Sequence, residues 1–217
     1  MENTLNTQLA KALNWRYATK RFDPTKRLST QDWKTLEEAL RLSPSSFGLQ
    51  PWHFVVVNNP DLRQQLRAAS WDQPQIVEAS HLVVLASARE IDTAYVDNFI
   101  SLLAQERGVE LDKLEPYRQM ILGFTKRLTE SNGIEAWTSR QTYIALGTLL
   151  TSAALLNIDA CPIEGIDPKK YDQILGLESS PYSTRVVCAL GYRAEVDATA
   201  QNKKVRFTSS KLFTYRD

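Results

Sequence analysis

Cysteine is scarce in this chain: only Cys161 and Cys188 occur among 217 residues, far apart and outside any paired motif. That excludes a disulfide scaffold and a cysteine-based zinc site, and it fits a reducing compartment. Cys188 sits within the apolar run from Val186 to Leu190, so the thiols read as small core residues rather than reactive ones. Histidine is as rare. His53 and His81 each open an apolar stretch with no second ligand at metal spacing, which argues against zinc or iron.

Glycine is thin as well. With eight glycines there is no Gly-x-Gly-x-x-Gly turn, no Walker loop and no Gly-x-Ser-x-Gly elbow, so Rossmann, NTPase and serine-hydrolase readings lose their support. Any bound phosphate must then be held mainly by side chains. Charge of one sign is missing too: 26 basic residues stand against 25 acidic ones, without a like-charged run, and no nucleic-acid partner is expected. The most apolar segment, Tyr143 to Leu156, is about 14 residues, whereas a membrane span needs about 20. It reads as a buried helix, and no membrane partner is expected. Met1 to Leu5 has neither a basic start nor an apolar stretch, so no export signal is expected and the cytoplasm is the expected location.

The residues present are enough for one substantial core over residues 1–217, 43% of them hydrophobic. Helical spacing of Leu5, Leu9, Ala12 and Leu13 predicts a first helix ending near Trp15, and Ser29 with Asp32 resembles a capping box for a second that Pro44 helps to stop. Further helices are expected after Asn59-Pro60 and Asp167-Pro168, and long ones over 91–107, 111–128 and 133–157. Strands are expected over 53–57, 82–86 and 185–190. Helices and strands do not alternate regularly, which favours an α+β sandwich over a doubly wound parallel sheet. The polar tail from Ala194 to Asp217 needs something to pack on, and a second subunit is one candidate.

Basic residues cluster at the two ends. Arg16 and Lys20 flank Tyr17, Ala18 and Thr19 after the first helix, while Lys204 and Arg206 alternate on an extended tail. Each charge-assisted bond to a phosphate oxygen is worth about 1.5–3 kcal/mol, so three or four would anchor a mononucleotide without a glycine loop. By spacing alone, two solvated basic patches are the favoured reading.

Taken with Ser43-Pro44-Ser45-Ser46, Gln50-Pro51-Trp52-His53-Phe54, Glu78-Ala79-Ser80-His81, Gln141 to Leu150 and Pro162-Ile163-Glu164-Gly165, these segments resemble the nitroreductase family. The similarity spans nearly the whole chain and is nearest to the oxygen-insensitive NAD(P)H nitroreductase and dihydropteridine reductase type. It implies an FMN-containing homodimer, a central, mainly antiparallel sheet flanked by helices, and a tail over 194–217 wrapped on the partner. The implied reaction carries hydride from NADH or NADPH through flavin N5 to nitroaromatics or quinones in alternating, ping-pong half-reactions. Within the same fold a flavin, pteridine or enone reductase remains open, as does a flavin-binding sensor without turnover.

The resemblance also implies site residues. Arg16, Lys204 and Arg206 would hold the FMN phosphate, with backbone contacts from Tyr17 and Ala18, and Lys20 would approach the pyrimidine edge. Pro162, Ile163, Glu164 and Gly165 would lie along the isoalloxazine, although Gly165 before Asp167-Pro168 is also ordinary turn chemistry. Pro44, Ser45 and Ser46 would serve the flavin held mainly by the other subunit. Departures from the family pattern are Ala18 and Gly48 in place of small polar side chains, Phe47 facing substrate, and Asp72 and Gln75 where an amide and a lysine would meet the pyrimidine edge. Phe124 would cap the substrate pocket; a core or interface position is the competing reading.

Overall fold

Two adjacent strands, rich in Val, Leu and Ala, run through the centre of the molecule because their side chains alternate between two apolar layers. In the computed structural model, which describes residues 4–216, these are β2 (His81–Ala88) and β4 (Tyr182–Gly191). Residues 1–3, on which the expectation about export partly rests, and the last tail residue lie outside the description. Val83, Leu85, Val186, Cys188 and Leu190 enter one buried cluster, and Leu82, Val84, Val187 and Ala189 enter the other.

The sheet has the order β1-β2-β4-β3, with β1 at Trp52–Val56 and β3 at Asp159–Ile163, and every neighbouring pair is antiparallel. An α+β sandwich was the expectation, and the observed layers agree with it. Strand β3 was not among the predicted strands, since its charged first residue and its Pro162 obscure the pattern. At a sheet edge the missing proline N–H breaks no ladder between two neighbours.

Helices cover both faces. On one side lie α2 (Thr30–Arg41) and the long α7 (Ile134–Leu155), with Leu36, Leu40, Leu146 and Leu149 buried against the sheet. On the other lie α3 (Pro60–Ala68), the short α4 (Gln75–Glu78) and α8 (Pro168–Ile174), which supply Leu66, Ile76 and Tyr171. The caps read from sequence hold: Ser29 accepts from the Asp32 amide, and Asn59 and Asp167 each accept from two amides in a first turn opened by proline.

A third cluster gathers α5 (Thr93–Arg107), α6 (Leu111–Glu130) and the start of α7 around Ile100, Ile121 and Trp137. Helix α1 (Thr4–Trp15) packs on α7 and buries only Ala12. No helix among the described residues is long and apolar enough to cross a membrane. Both cysteines are buried, and burial raises the pKa of each thiol, as expected of core residues.

Candidate functional site

Both ends of the chain meet at one cavity of about 430 Å³. Its wall carries Arg16, Lys20, Lys203, Lys204 and Arg206 and no acidic residue. The N-terminal share comes from the loop after α1. There Ala18 bridges Ala160 of β3, and the Thr19 amide donates to the Ala160 carbonyl at 3.4 Å. The C-terminal share comes from the tail, whose Ala194 amide donates to the Arg21 carbonyl at 3.0 Å. The first partner of the tail is therefore the chain's own loop after α1.

Concentrated positive charge costs energy unless an anion offsets it. Burial and the neighbouring Arg16 and Arg206 cations lower the pKa of Lys204. Its ammonium donates to the carbonyls of Leu13 and Arg16, satisfying the C-terminal turn of α1. Arg16 Nε is buried without an acceptor.

Beneath the cavity lies a layer that the sequence reading missed. The Arg193 guanidinium grips the Asp159 carboxylate, with Nη2 to Oδ1 at 2.6 Å, and Thr19 also donates to Asp159. The Arg193 Cζ lies 4.3 Å from the Trp15 ring centre and 4.6 Å from that of Tyr17. Tyr17 donates in turn to Asp197, and burial together with that bond pushes its pKa up to about 12. Burial raises the Asp197 carboxyl, but bonds from the Lys20 amide, Tyr17, the Arg21 amide and Thr199 outweigh it and hold its pKa below the ordinary value. No local motif singled out Asp197, which shares the tail with Glu195 and Asp217.

The remaining residues singled out from sequence sit on separate loops. Gly165 ends the segment after β3, and its carbonyl accepts from the Gln73 amide at 2.9 Å. Ile163 is buried in the core, Pro162 is half-buried, and Glu164 accepts a short hydrogen bond from Tyr143 of α7. Gln75 is buried, its Oε1 has no partner, and its Nε2 lies 4.0 Å from Cys161 Sγ. Asp72 pairs with Arg67 at 2.8 Å, so its charge is compensated and turned to solvent.

Pro44, Ser45 and Ser46 do not line the cationic cavity. The Ser46 amide donates to Gln141 Oε1 of α7 at 2.9 Å, and Ser45 Oγ accepts from the Gln50 amide. Phe47 meets Phe124 edge to face at 5.1 Å, and Phe124 continues onto Trp137 at 5.5 Å. Thus Phe124 contributes to the third core cluster while its ring also supports Phe47.

Backbone strain marks the same two loops. Phe47, Gln50, Trp71 and Asp72 all have positive φ, near +50 to +57°. Among the described non-glycine residues, the other two with positive φ are Asn132 and Asn157, a residue type that tolerates this region. Such strain persists where surrounding contacts hold it, often at binding sites.

The model of the Nitroreductase family matches residues 13–192. The chain belongs to the nitroreductase family. One nitroreductase relative, from Staphylococcus epidermidis, is 41% identical over 201 residues, covering 89% of this chain and 91% of its own, and carries the name "Putative NAD(P)H nitroreductase". A nitroreductase-like protein of Streptococcus mutans superposes with a TM-score of 0.83 at 19% identity over 100% of both chains. A protein from Exiguobacterium sibiricum described as a "putative nitroreductase", solved in complex with FMN, gives a TM-score of 0.79 at 18% identity, covering 96% of this chain and 97% of that one. Of the cavity's cations, Arg16 and Lys20 fall inside the nitroreductase match, while Lys203, Lys204 and Arg206 come from the tail beyond it.

Proposed function

We propose that this chain is an FMN-dependent oxidoreductase that takes hydride from NADH or NADPH and passes it to small electron-poor acceptors, nitroaromatics and quinones among them. The observation that carries this reading is the meeting of Arg16, Lys20, Lys204 and Arg206 on one cavity with no acid on its wall. A phosphate monoester dianion fits Arg16, Lys204 and Arg206 of that set, and Lys20 is left for the ring. It would also satisfy the buried Arg16 Nε, a donor that costs about 1–3 kcal/mol when left unmade. The unpartnered Oε1 of Gln75 suits the imide N–H of a flavin pyrimidine. The FMN complex of a fold neighbour and the nicotinamide in the name of a close relative support the same assignment.

When bound, FMN supplies a centre that accepts hydride and later releases it. The protein's task is to bind, orient and tune. Lys20 places a fixed cation at the pyrimidine edge, where negative charge gathers on reduction. Gln75 is neutral there, and Arg67 compensates Asp72. Pro162 to Gly165 would run beside the ring system, where the missing side chain of Gly165 makes room for the Trp71 indole. Phe47 and Phe124 give flat acceptors an aromatic wall, with solvent supplying protons.

The active unit is a homodimer, a single domain per chain, in the cytoplasm. Exposed apolar residues support the dimer: Leu9 and Leu13 on α1, Ile144 and Leu155 on α7, and Val205 and Phe207 on the tail. In that assembly the loop from Pro44 to Phe47 serves the flavin of the other subunit, and the tail over 194–217 wraps the partner.

Purified protein should be yellow and dimeric in sedimentation. Anaerobic NADH or NADPH should bleach the flavin band, an acceptor should restore it, and initial rates should give parallel double-reciprocal lines. Colourless protein that takes up no FMN, or a bound flavin that neither nicotinamide reduces, overturns the reading.

A further inference from the structure

We infer that Asp197 is the positioning residue that assembles the anion cradle from the two ends of the chain, and that it thereby sets the preference for a phosphorylated flavin over an unphosphorylated one. This rests on the FMN reading above. Asp197 is 3% exposed, and its carboxylate accepts four bonds: Oδ2 from Tyr17 Oη at 2.9 Å, the Lys20 amide at 2.8 Å and the Arg21 amide at 3.2 Å, and Oδ1 from the Thr199 amide at 3.0 Å. Only the last belongs to an ordinary cap, that of the 3-10 turn Ala198–Gln201. The other three reach a loop more than 170 residues away in sequence, the loop that carries Arg16 and Lys20.

Electrostatic attraction to the ligand does not account for this residue. An anion here opposes a phosphate, and all four of its partners are neutral donors rather than side-chain cations. Its value is geometric. The bonds fix the backbone of residues 17–21 against the tail, so that cations from both ends face one volume. Tyr17 is held at both its face and its hydroxyl, by Arg193 and by Asp197. The link is also economical in entropy, since ordering two remote segments for a ligand would otherwise be charged to binding.

The test compares FMN with riboflavin, which shares the ring and ribityl chain but lacks the phosphate. General loosening of the fold weakens both ligands alike; a disordered cradle weakens FMN far more than riboflavin, which shares only the Lys20 contact at the ring and none of the phosphate contacts. For Asp197→Ala the FMN Kd, read by quenching of flavin fluorescence, should rise about 30- to 100-fold, and that for riboflavin, through the Lys20 contact alone, no more than about fivefold. Asp197→Asn should lie between, because its amide oxygen keeps part of the acceptor set. Should Asp197→Ala fail to fold, Tyr17→Phe removes one of the four bonds and should cost FMN about three- to tenfold and riboflavin no more than about twofold. Equal losses for both flavins, or an unchanged FMN preference, overturn the role of Asp197. A wild-type protein that binds neither flavin overturns the FMN reading itself and this inference with it.

Discussion

Trp71 packs so closely on Gly165 that a Cβ built on the glycine would meet the indole Cε3 at 2.8 Å. Trp71 is otherwise 81% exposed and holds a φ of 51°, so a large ring is kept in water, on a strained backbone, against the segment assigned to the flavin edge. Gly165→Ala should therefore push the ring aside at little cost in stability, within about 1 kcal/mol, yet raise the FMN Kd about tenfold. In a double-mutant cycle, adding Trp71→Ala should recover part of that loss, with a coupling of about 0.5 kcal/mol or more. Strict additivity would show that the contact does not shape the site.

Arg16→Ala and Arg206→Ala should each weaken FMN by about 1.5–3 kcal/mol, roughly 10- to 150-fold, if each makes a charge-assisted bond to phosphate. Riboflavin binding should hardly change. Fluorescence titration at two salt concentrations checks both points, since loss of a phosphate contact also flattens the salt dependence.

Lys204 yields a pH prediction. Burial and the Arg16 and Arg206 charges lower its pKa from 10.5, so the empty site gives up this proton earlier than an ordinary lysine. A phosphate dianion favours the charged form and raises that pKa. Binding then takes up a proton in the window between the two values, and FMN affinity is full below it and falls as pH rises through the lowered pKa. Calorimetry in two buffers of different ionisation heat should register the uptake at alkaline pH but not at neutral pH. Lys204→Arg should abolish it.

The ion pair under the cavity should matter for folding. Asp159 is 3% exposed, and its carboxylate is held bidentately by Arg193. Arg193→Met strands a buried carboxylate and also removes the stack on Trp15 and Tyr17, at a cost of about 2–4 kcal/mol, lower than for a fully buried pair because Arg193 keeps 26% of its side-chain surface in water. Urea unfolding measures the loss. The double variant Asp159→Asn with Arg193→Met should be more stable than Arg193→Met alone.

Much of the fold was legible because its devices are local. Ser29, Asn59 and Asp167 act within a single helical turn, and the β2 and β4 runs are apolar on both faces. Strand β3 was not legible, since Asp159 and Pro162 make sense only once the strand is an edge and Arg193 is beside it. The cationic half of the site was legible as residue types, and Lys203, which lines the same cavity, was overlooked. Asp72 was expected beside the pyrimidine edge; its pairing with Arg67 depends on a left-handed turn that composition does not reveal.

What this sequence determines by itself is chemistry and periodicity: which residues can bury, where helices start, and that a phosphate would meet arginine and lysine rather than a glycine loop. What only the tertiary structure decided is convergence. Arg16 and Arg206 stand at opposite ends of 217 residues, and no local rule links them. Asp197 and Arg193 bring them to one cavity through hydrogen bonds and ring contacts whose partners are adjacent only after the chain has folded.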